Sequence, residues 1–151
     1  MDTMVRNFRW VGVMALAGAA GLLAGCSSMG SMSPMKYDQQ VVLSGSNEVP
    51  AVTTPASGSG TVTINADRAV SATITVTGMT ATAAHIHEGA AGANGPVIVP
   101  FTKTGDNTFA APEGAKLTES QYASYKAGNL YVNVHSARNP GGEVRAQIKG
   151  L

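Results

Sequence analysis

The chain has 151 residues, enough for one main domain, and its 10 basic and 9 acidic residues give a formal net charge of +1. A charge this balanced lacks the basic surface that nucleic acids require, so we expect no nucleic-acid partner. Cys26 is the only cysteine, which excludes a disulfide within the chain and leaves the fold to be stabilised by its core.

Residues 1–25 have the organisation of a lipoprotein signal peptide. Arg6 and Arg9 precede an uncharged apolar run, residues 11–23, which suits a secretory signal and is short of the roughly 20 residues of a membrane span. The run ends in Leu23-Ala24-Gly25-Cys26, a complete lipobox. Cys26 is therefore the predicted lipidation site; the alternative is an ordinary signal peptide with a chance cysteine.

The predicted lipid on Cys26 determines where the protein should reside. A thioether-linked diacylglycerol plus a palmitate-type acyl chain on the amino group would be enough for stable membrane attachment. Ser27 follows the cysteine, where an aspartate would favour the inner membrane of a Gram-negative cell. We therefore expect an exported, lipid-anchored protein of the outer membrane, facing the periplasm or the cell surface, with an envelope protein as a candidate partner.

After the lipidated cysteine we expect a flexible tether, residues 26–36, and then a single domain, residues 37–151. The tether is rich in serine, glycine and methionine. Its methionines Met29, Met32 and Met35 recur every three residues, and thioethers select Cu(I). The alternative is a low-complexity linker that contains methionine by chance.

The first half of the domain shows the period-2 alternation of strands with one buried face. Val41 and Leu43 alternate with polar residues, as do Val62 and Ile64, and residues 70–77 continue the pattern with threonines on the other face. Residues 65–69, between the last two runs, predict a hairpin turn.

The second half predicts four more strands and one short helix. The strands are residues 84–88, 97–101, 129–136 and 143–149, separated by glycine- and proline-rich clusters at 89–96 and 138–142. Thr118 and Gln121 have capping-box spacing, and Gly128 predicts the end of that helix. The whole pattern predicts an all-β fold, an immunoglobulin-like or Greek-key β-sandwich or barrel with one short helix.

The three histidines all lie on predicted strands. Residues two apart on a strand share a face, so His85 and His87 project together. By the same rule His135 shares a face with Asn133 and Tyr131. If the two strands are neighbours, three imidazoles converge, which suits a copper or zinc ion.

Two other interpretations of the polar residues remain open. The histidines could instead brace the 89–96 loop against the 138–142 turn, through Glu88, Glu143 or Asn133. Arg145 alternates with apolar neighbours and could pair with Glu48 or Glu88 in a structural polar cluster; the alternative is a solvated charged face. No serine or cysteine sits in a nucleophile elbow, and we expect no enzymatic activity and no catalytic residues.

Several segments together resemble the CHRD family, named for the repeated domain of chordin and common in exported bacterial proteins. The matching segments, in family order, are residues 43–50, 84–89, 128–136 and 139–148, with Gly92, Asn94, Gly95 and Pro96. Ala51 and Ala146 depart from the family pattern, where a second proline and a glycine are common. The resemblance implies an all-β, immunoglobulin-like domain without an established activity.

The His-x-His strand is also faintly similar to copper/zinc superoxide dismutase. That enzyme has further metal-binding histidines and paired cysteines, and this chain has three histidines and one cysteine.

Three hypotheses for the function follow. The first is a lipid-anchored, non-catalytic binding or structural module of the cell envelope. The second is a copper- or zinc-binding protein that uses His85, His87 and His135. The third and most remote is a dismutase-like metalloenzyme.

Overall fold

The computed structural model describes residues 37–151. The predicted signal peptide, the lipidation site Cys26 and the methionine tether lie outside the described residues. Within the described range, no helix is long and apolar enough to cross a bilayer.

The described residues form nine strands and one short α-helix, which confirms the predicted all-β class. The strands are β1 (Asp38–Ser44), β2 (Ser57–Ile64), β3 (Val70–Thr77), β4 (Ala81–Glu88), β5 (Val97–Pro100), β6 (Thr102–Gly105), β7 (Thr108–Ala110), β8 (Leu130–Ser136) and β9 (Val144–Ile148). The helix is α1 (Glu119–Lys126), and a 3-10 turn, Gly45–Asn47, follows β1.

All nine strands belong to one antiparallel sheet, in the order β5-β4-β8-β9-β1-β2-β3-β7-β6. The two strands at the ends of this order, β5 and β6, are separated in the chain only by Phe101. One continuous stretch of chain therefore follows both edges of the sheet. The sheet must curl until those edges are close, and the result is a nearly closed barrel.

The core lies on the inward face of the strands, as the sequence alternation predicts. In β3, Val70, Ala72, Ile74 and Val76 are buried while the serine and threonines between them are exposed. The turn at residues 65–69 joins β2 to β3 as an antiparallel hairpin, with Asn65 N–H donating to the Ala69 carbonyl at 3.0 Å. Burial of these branched side chains is the main source of stability in a chain without disulfides.

The helix has the predicted boundaries. The Thr118 side chain accepts a hydrogen bond from the Gln121 amide, and the Gln121 side chain accepts from the Thr118 amide, which completes the capping box. Gly128 follows the helix with a φ of +76°, a conformation that glycine adopts without strain. Tyr125 is fully buried beneath the helix and its hydroxyl accepts from Gln39.

The sequence did not predict β6 and β7, and β4 begins at Ala81, three residues before its predicted start. Every residue of β6 is exposed, so this edge strand has no apolar alternation. The start of β4 consists of alanines and a threonine, and alanine has weak strand preference. These segments become strands because they pair with neighbouring strands, and no local sequence pattern records that pairing.

Candidate metal centre

Three adjacent strands, β4, β8 and β9, carry a polar layer on the face opposite the core. Strand pairing places His85 beside Asn133 and His87 beside Tyr131, and on the other side of β8 it places Asn133 beside Arg145. The intervening residues of these strands belong to the core. Although it is polar, most of this layer is buried. The buried members are His87, Tyr131, Asn133, His135, Glu143 and Arg145.

The three histidines converge within this layer, as the strand register predicts. Nδ1 of His85 lies 2.9 Å from Nε2 of His135. One nitrogen from each ring can be chosen so that all three lie within 4.8 Å of one another. His87 and His135 are each 8% exposed, while His85 is half-buried and borders solvent.

Two of the rings are oriented by backbone carbonyls. Nδ1 of His87 lies 2.9 Å from the Gly95 carbonyl, and Nδ1 of His135 lies 2.9 Å from the Pro140 carbonyl. A carbonyl oxygen can only accept, so both Nδ1 atoms carry the proton and both Nε2 atoms hold a lone pair. His85 must then donate its Nδ1 proton to the lone pair of His135.

Nε2 of His87 is buried and has no hydrogen-bond partner. Burial is the largest cause that lowers the pKa of His87; Arg145 adds to it, and Gly95 and Asn133 oppose it. Asn133 is thus a neighbour, although it does not reach hydrogen-bonding geometry with Nε2. A buried lone pair without a donor is costly, and it marks the direction from which a ligand would bind.

Burial also lowers the pKa of the other two rings. For His85 the pKa falls to about 4, because of burial first and then repulsion from His135 and His87. For His135 burial and His87 lower the pKa against the opposing hydrogen bond to Pro140. All three imidazoles are therefore neutral at pH 7, the form in which imidazole binds metals.

The distances in the cluster are close to those of a metal site. Two nitrogens bound at 2.0–2.1 Å to one tetrahedral ion lie about 3.3 Å apart. The 2.9 Å pair would open slightly and the widest pair would close. His85 is the ring with the freedom to adjust, because it is half-buried and no carbonyl fixes it.

Glu48 enters the same layer from the segment after the 3-10 turn. It is buried, its Oε1 has no hydrogen-bond partner, and burial raises its pKa to about 7 despite Arg145, Asn133 and Val49. Gly142 packs against it: a Cβ there would lie 2.5 Å from Glu48 Oε1. With a φ of +132° as well, this position requires glycine.

The raised pKa of Glu48 predicts a pH-dependent effect of Glu48→Gln. The folded protein keeps the carboxyl proton up to about pH 7, whereas the unfolded chain releases it near 4.5. The stability that Glu48 contributes is thus complete below pH 4.5 and is lost as the pH rises through 7. Relative to wild type, Glu48→Gln should gain on the order of 3 kcal/mol between pH 4.5 and 8.

Denaturant unfolding across this pH range measures the difference. Glu113→Gln is the matched control, because it removes an exposed carboxylate. The lowered pKa values of the histidines act in the opposite sense, since their contribution is lost as the pH falls from 6.5, but they are common to both proteins. A difference between Glu48→Gln and wild type that is independent of pH would contradict the prediction.

Glu88 and Glu143 form their hydrogen bonds with hydroxyl groups. Glu88 accepts a hydrogen bond from Ser124 of α1 at 2.5 Å. Glu143 accepts from Thr54 at 2.6 Å and from Ser136. Burial acts to raise the pKa of Glu143, but these hydrogen bonds, with Asn139 and Arg138, outweigh it and lower the pKa. The carbonyls of Gly95 and Pro140 therefore make the loop contacts for which the sequence left Glu88, Glu143 or Asn133 as candidates.

The sequence left open whether Arg145 pairs with Glu48 or Glu88, and its hydrogen bonds go elsewhere. The guanidinium donates to Asn94 Oδ1, the carbonyls of Ala90 and Ala93, and Gln147 Oε1. Glu48 interacts with it only electrostatically, as the pKa of Glu48 records. Arg145 thus holds the 89–96 loop over the polar layer.

Sequence reasoning missed the role of Tyr131 in this layer. Its ring stacks on His87 with centroids 4.8 Å apart and planes 8° from parallel. The Arg145 guanidinium lies 3.4 Å from the centroid of the same ring. The available signal was that Tyr131 shares its strand face with Asn133 and His135, which placed an aromatic ring among the imidazoles.

Comparison with known proteins identifies the domain. The family model of the CHRD domain matches residues 39–148, which includes every strand of the polar layer. Neither the curated proteins nor the solved structures provide a match. Since the matched region covers most of the chain, as the resemblance of its motifs implied, this protein belongs to the CHRD domain family.

Proposed function

We propose that this protein is a non-catalytic, lipid-anchored module of the cell envelope that binds one copper or zinc ion through His85, His87 and His135. The observation that carries the proposal is the buried, unpartnered Nε2 of His87, next to two further imidazoles. A group of this kind is stabilised when it donates its lone pair to an ion.

The carbonyl contacts support a metal role for the rings. Metal-binding histidines usually donate their second ring proton to a carbonyl or carboxylate, which fixes the tautomer and the ring orientation. His87 and His135 already make such bonds, to Gly95 and Pro140. Both rings are therefore fixed with the Nε2 lone pair directed away from the carbonyl; that of His87 has no partner, and that of His135 accepts from His85.

His85 would change most when an ion binds. In the metal-free protein its Nδ1 proton occupies the lone pair of His135, as the 2.9 Å separation requires. An ion must replace that proton, so His85 either moves its proton to Nε2 and binds through Nδ1, or turns its ring. Because it borders solvent, His85 is also the side from which the ion would enter.

The ligand set limits the choice of ion. Three neutral imidazoles suit Zn(II), Cu(II) or Cu(I), while Mg(II) and Ca(II) prefer oxygen ligands. The methionines at positions 29, 32 and 35 would favour Cu(I) over zinc if they act with the site. The lipobox and Cys26 support delivery of this module to the envelope.

Calorimetric titration of residues 36–151, which lack Cys26 and the tether methionines, tests the proposal. We expect one Zn(II) or Cu(II) ion per chain and loss of binding in the triple variant His85→Ala, His87→Ala, His135→Ala. Binding of the same strength in the triple variant, or none in wild type, would refute it.

A structural brace is the second candidate, because His87 and His135 connect the 89–96 and 138–142 segments to the sheet. This role predicts that the triple variant melts at a lower temperature and that wild type gains no stability from added metal. Metal binding predicts that wild type alone is stabilised by the ion, in proportion to the logarithm of its concentration above the dissociation constant.

A further inference from the structure

Arg145 is almost completely buried, at 1% exposure, and its hydrogen bonds go to neutral groups. A buried charge is usually stabilised by a charged partner. Because the hydrogen-bond acceptors of Arg145 are neutral, these hydrogen bonds must provide a large share of the stabilisation of its charge. Three of the four acceptors lie in one segment: the Ala90 carbonyl at 3.2 Å, the Ala93 carbonyl at 2.9 Å and Asn94 Oδ1 at 3.3 Å. Arg145 therefore holds the 89–96 loop in a defined position.

Tyr131 connects Arg145 to the histidines. Its strand, β8, lies between β9 and β4, so Arg145 and His87 approach the ring from opposite sides. The guanidinium is 3.4 Å from the ring centroid, and the imidazole centroid is 4.8 Å away. The tyrosine ring is thus held between a cation and a metal-ligand candidate.

Gly95 completes the connection from the loop. Its N–H donates to the Tyr131 hydroxyl at 3.2 Å, and its carbonyl lies 2.9 Å from Nδ1 of His87. A Cβ at this position would overlap the Glu88 carbonyl oxygen, so the backbone can pack here only as glycine. The position of the Gly95 carbonyl therefore decides which nitrogen of His87 carries the proton.

We propose that Arg145 is a positioning residue of the three-histidine centre: by holding the 89–96 loop and the Tyr131 ring, it keeps Nδ1 of His87 bonded to Gly95 and leaves Nε2 for the metal. The inference rests on the proposed metal function. Lysine cannot replace the arginine here, because a single ammonium cannot reproduce the planar fork that reaches several acceptors and stacks on a ring.

The test compares wild type with Arg145→Lys, which retains the positive charge, in the full chain purified in detergent. Zn(II) is the probe. Thioethers select Cu(I), so the methionines of the tether should not compete with the histidines for Zn(II). We expect the dissociation constant for Zn(II) to rise 10- to 100-fold, the usual cost of losing a group that orients a metal ligand. In the metal-free protein, nitrogen-15 spectra of labelled histidine should show His87 changing from the pure Nδ1–H tautomer to a mixture.

Two further variants keep the result interpretable. Val62→Ala shortens a buried core side chain outside the polar layer, so it lowers stability without altering affinity or tautomer. Tyr131→Phe removes the acceptor of the Gly95 N–H and should shift both readouts in the same direction as Arg145→Lys. If Arg145→Lys does not fold, the Zn(II) dissociation constant and the His87 tautomer of Tyr131→Phe test the inference in its place.

Wild-type affinity and an unchanged His87 tautomer in the folded variant would overturn the inference. If wild type bound neither Zn(II) nor Cu(II), the proposed function would fail. The tautomer comparison in the metal-free protein would still decide whether Arg145 positions His87.

Discussion

Replacing His87 with alanine is expected to weaken Zn(II) binding by at least about 100-fold. Loss of a group that merely orients a ligand costs roughly 10- to 100-fold, and loss of the ligand itself should cost more. His87 is the best choice among the three histidines, because its Nε2 has no partner to lose in the metal-free protein. Competition titration against a chelator of known affinity measures the change.

The control for this experiment must separate binding from stability. His87→Ala also removes the hydrogen bond to Gly95 and the stacking on Tyr131, so some loss of stability is expected. Val62→Ala provides a destabilised protein with the three histidines intact, and it should bind Zn(II) like wild type. Unchanged affinity in a folded His87→Ala variant would exclude His87 as a ligand.

Cys26→Ser is expected to abolish lipidation completely and to leave the signal peptide uncleaved. Serine cannot form the thioether to diacylglycerol, and without it neither the acyl chain nor the signal peptidase cleavage before residue 26 follows. Two acyl attachments hold the wild-type protein stably on a bilayer. The variant should instead retain residues 1–25, and its apolar run, residues 11–23, keeps the unlipidated precursor at the inner membrane. In a Gram-negative host, membrane fractionation and the mass of the N-terminal peptide measure the result.

Ser28→Ala is the matched control for the lipidation experiment, because it changes a nearby tether residue and leaves the lipobox intact. It should stay in the membrane fraction with a lipid-sized mass increase on its first residue. A Cys26→Ser protein that was cleaved before residue 26 or carried a lipid-sized mass increase, or a wild-type peptide of unmodified mass, would contradict lipid anchoring.

The sequence predicted the elements whose signal is local. Alternation in residues 70–77, the capping pair Thr118 and Gln121, and the turn at 65–69 all correspond to observed structure. The shared face of His85 and His87 also follows from strand geometry alone. Convergence with His135 needed the pairing of β4 with β8, which the sequence left as a condition.

The remaining features depend on contacts that no sequence pattern records. Whether Gly95 or a carboxylate binds His87 depends on the path of the 89–96 loop, and Arg145 decides that path from a strand about 50 residues later. The exposed strand β6 has two strand-favouring threonines but no apolar alternation, and its pairing with β7 is what defines it. Long-range hydrogen bonds therefore account for most differences between expectation and structure.

X-ray absorption spectroscopy of residues 36–151 loaded with one equivalent of Zn(II) tests the central claim most directly. The account predicts three imidazole nitrogens at 2.0–2.1 Å, with the outer-shell scattering of the rings. It also predicts that His87→Ala lowers the number of imidazole ligands by one. A first shell made of oxygen atoms, or a spectrum that His87→Ala leaves unchanged, would contradict metal binding by the three histidines.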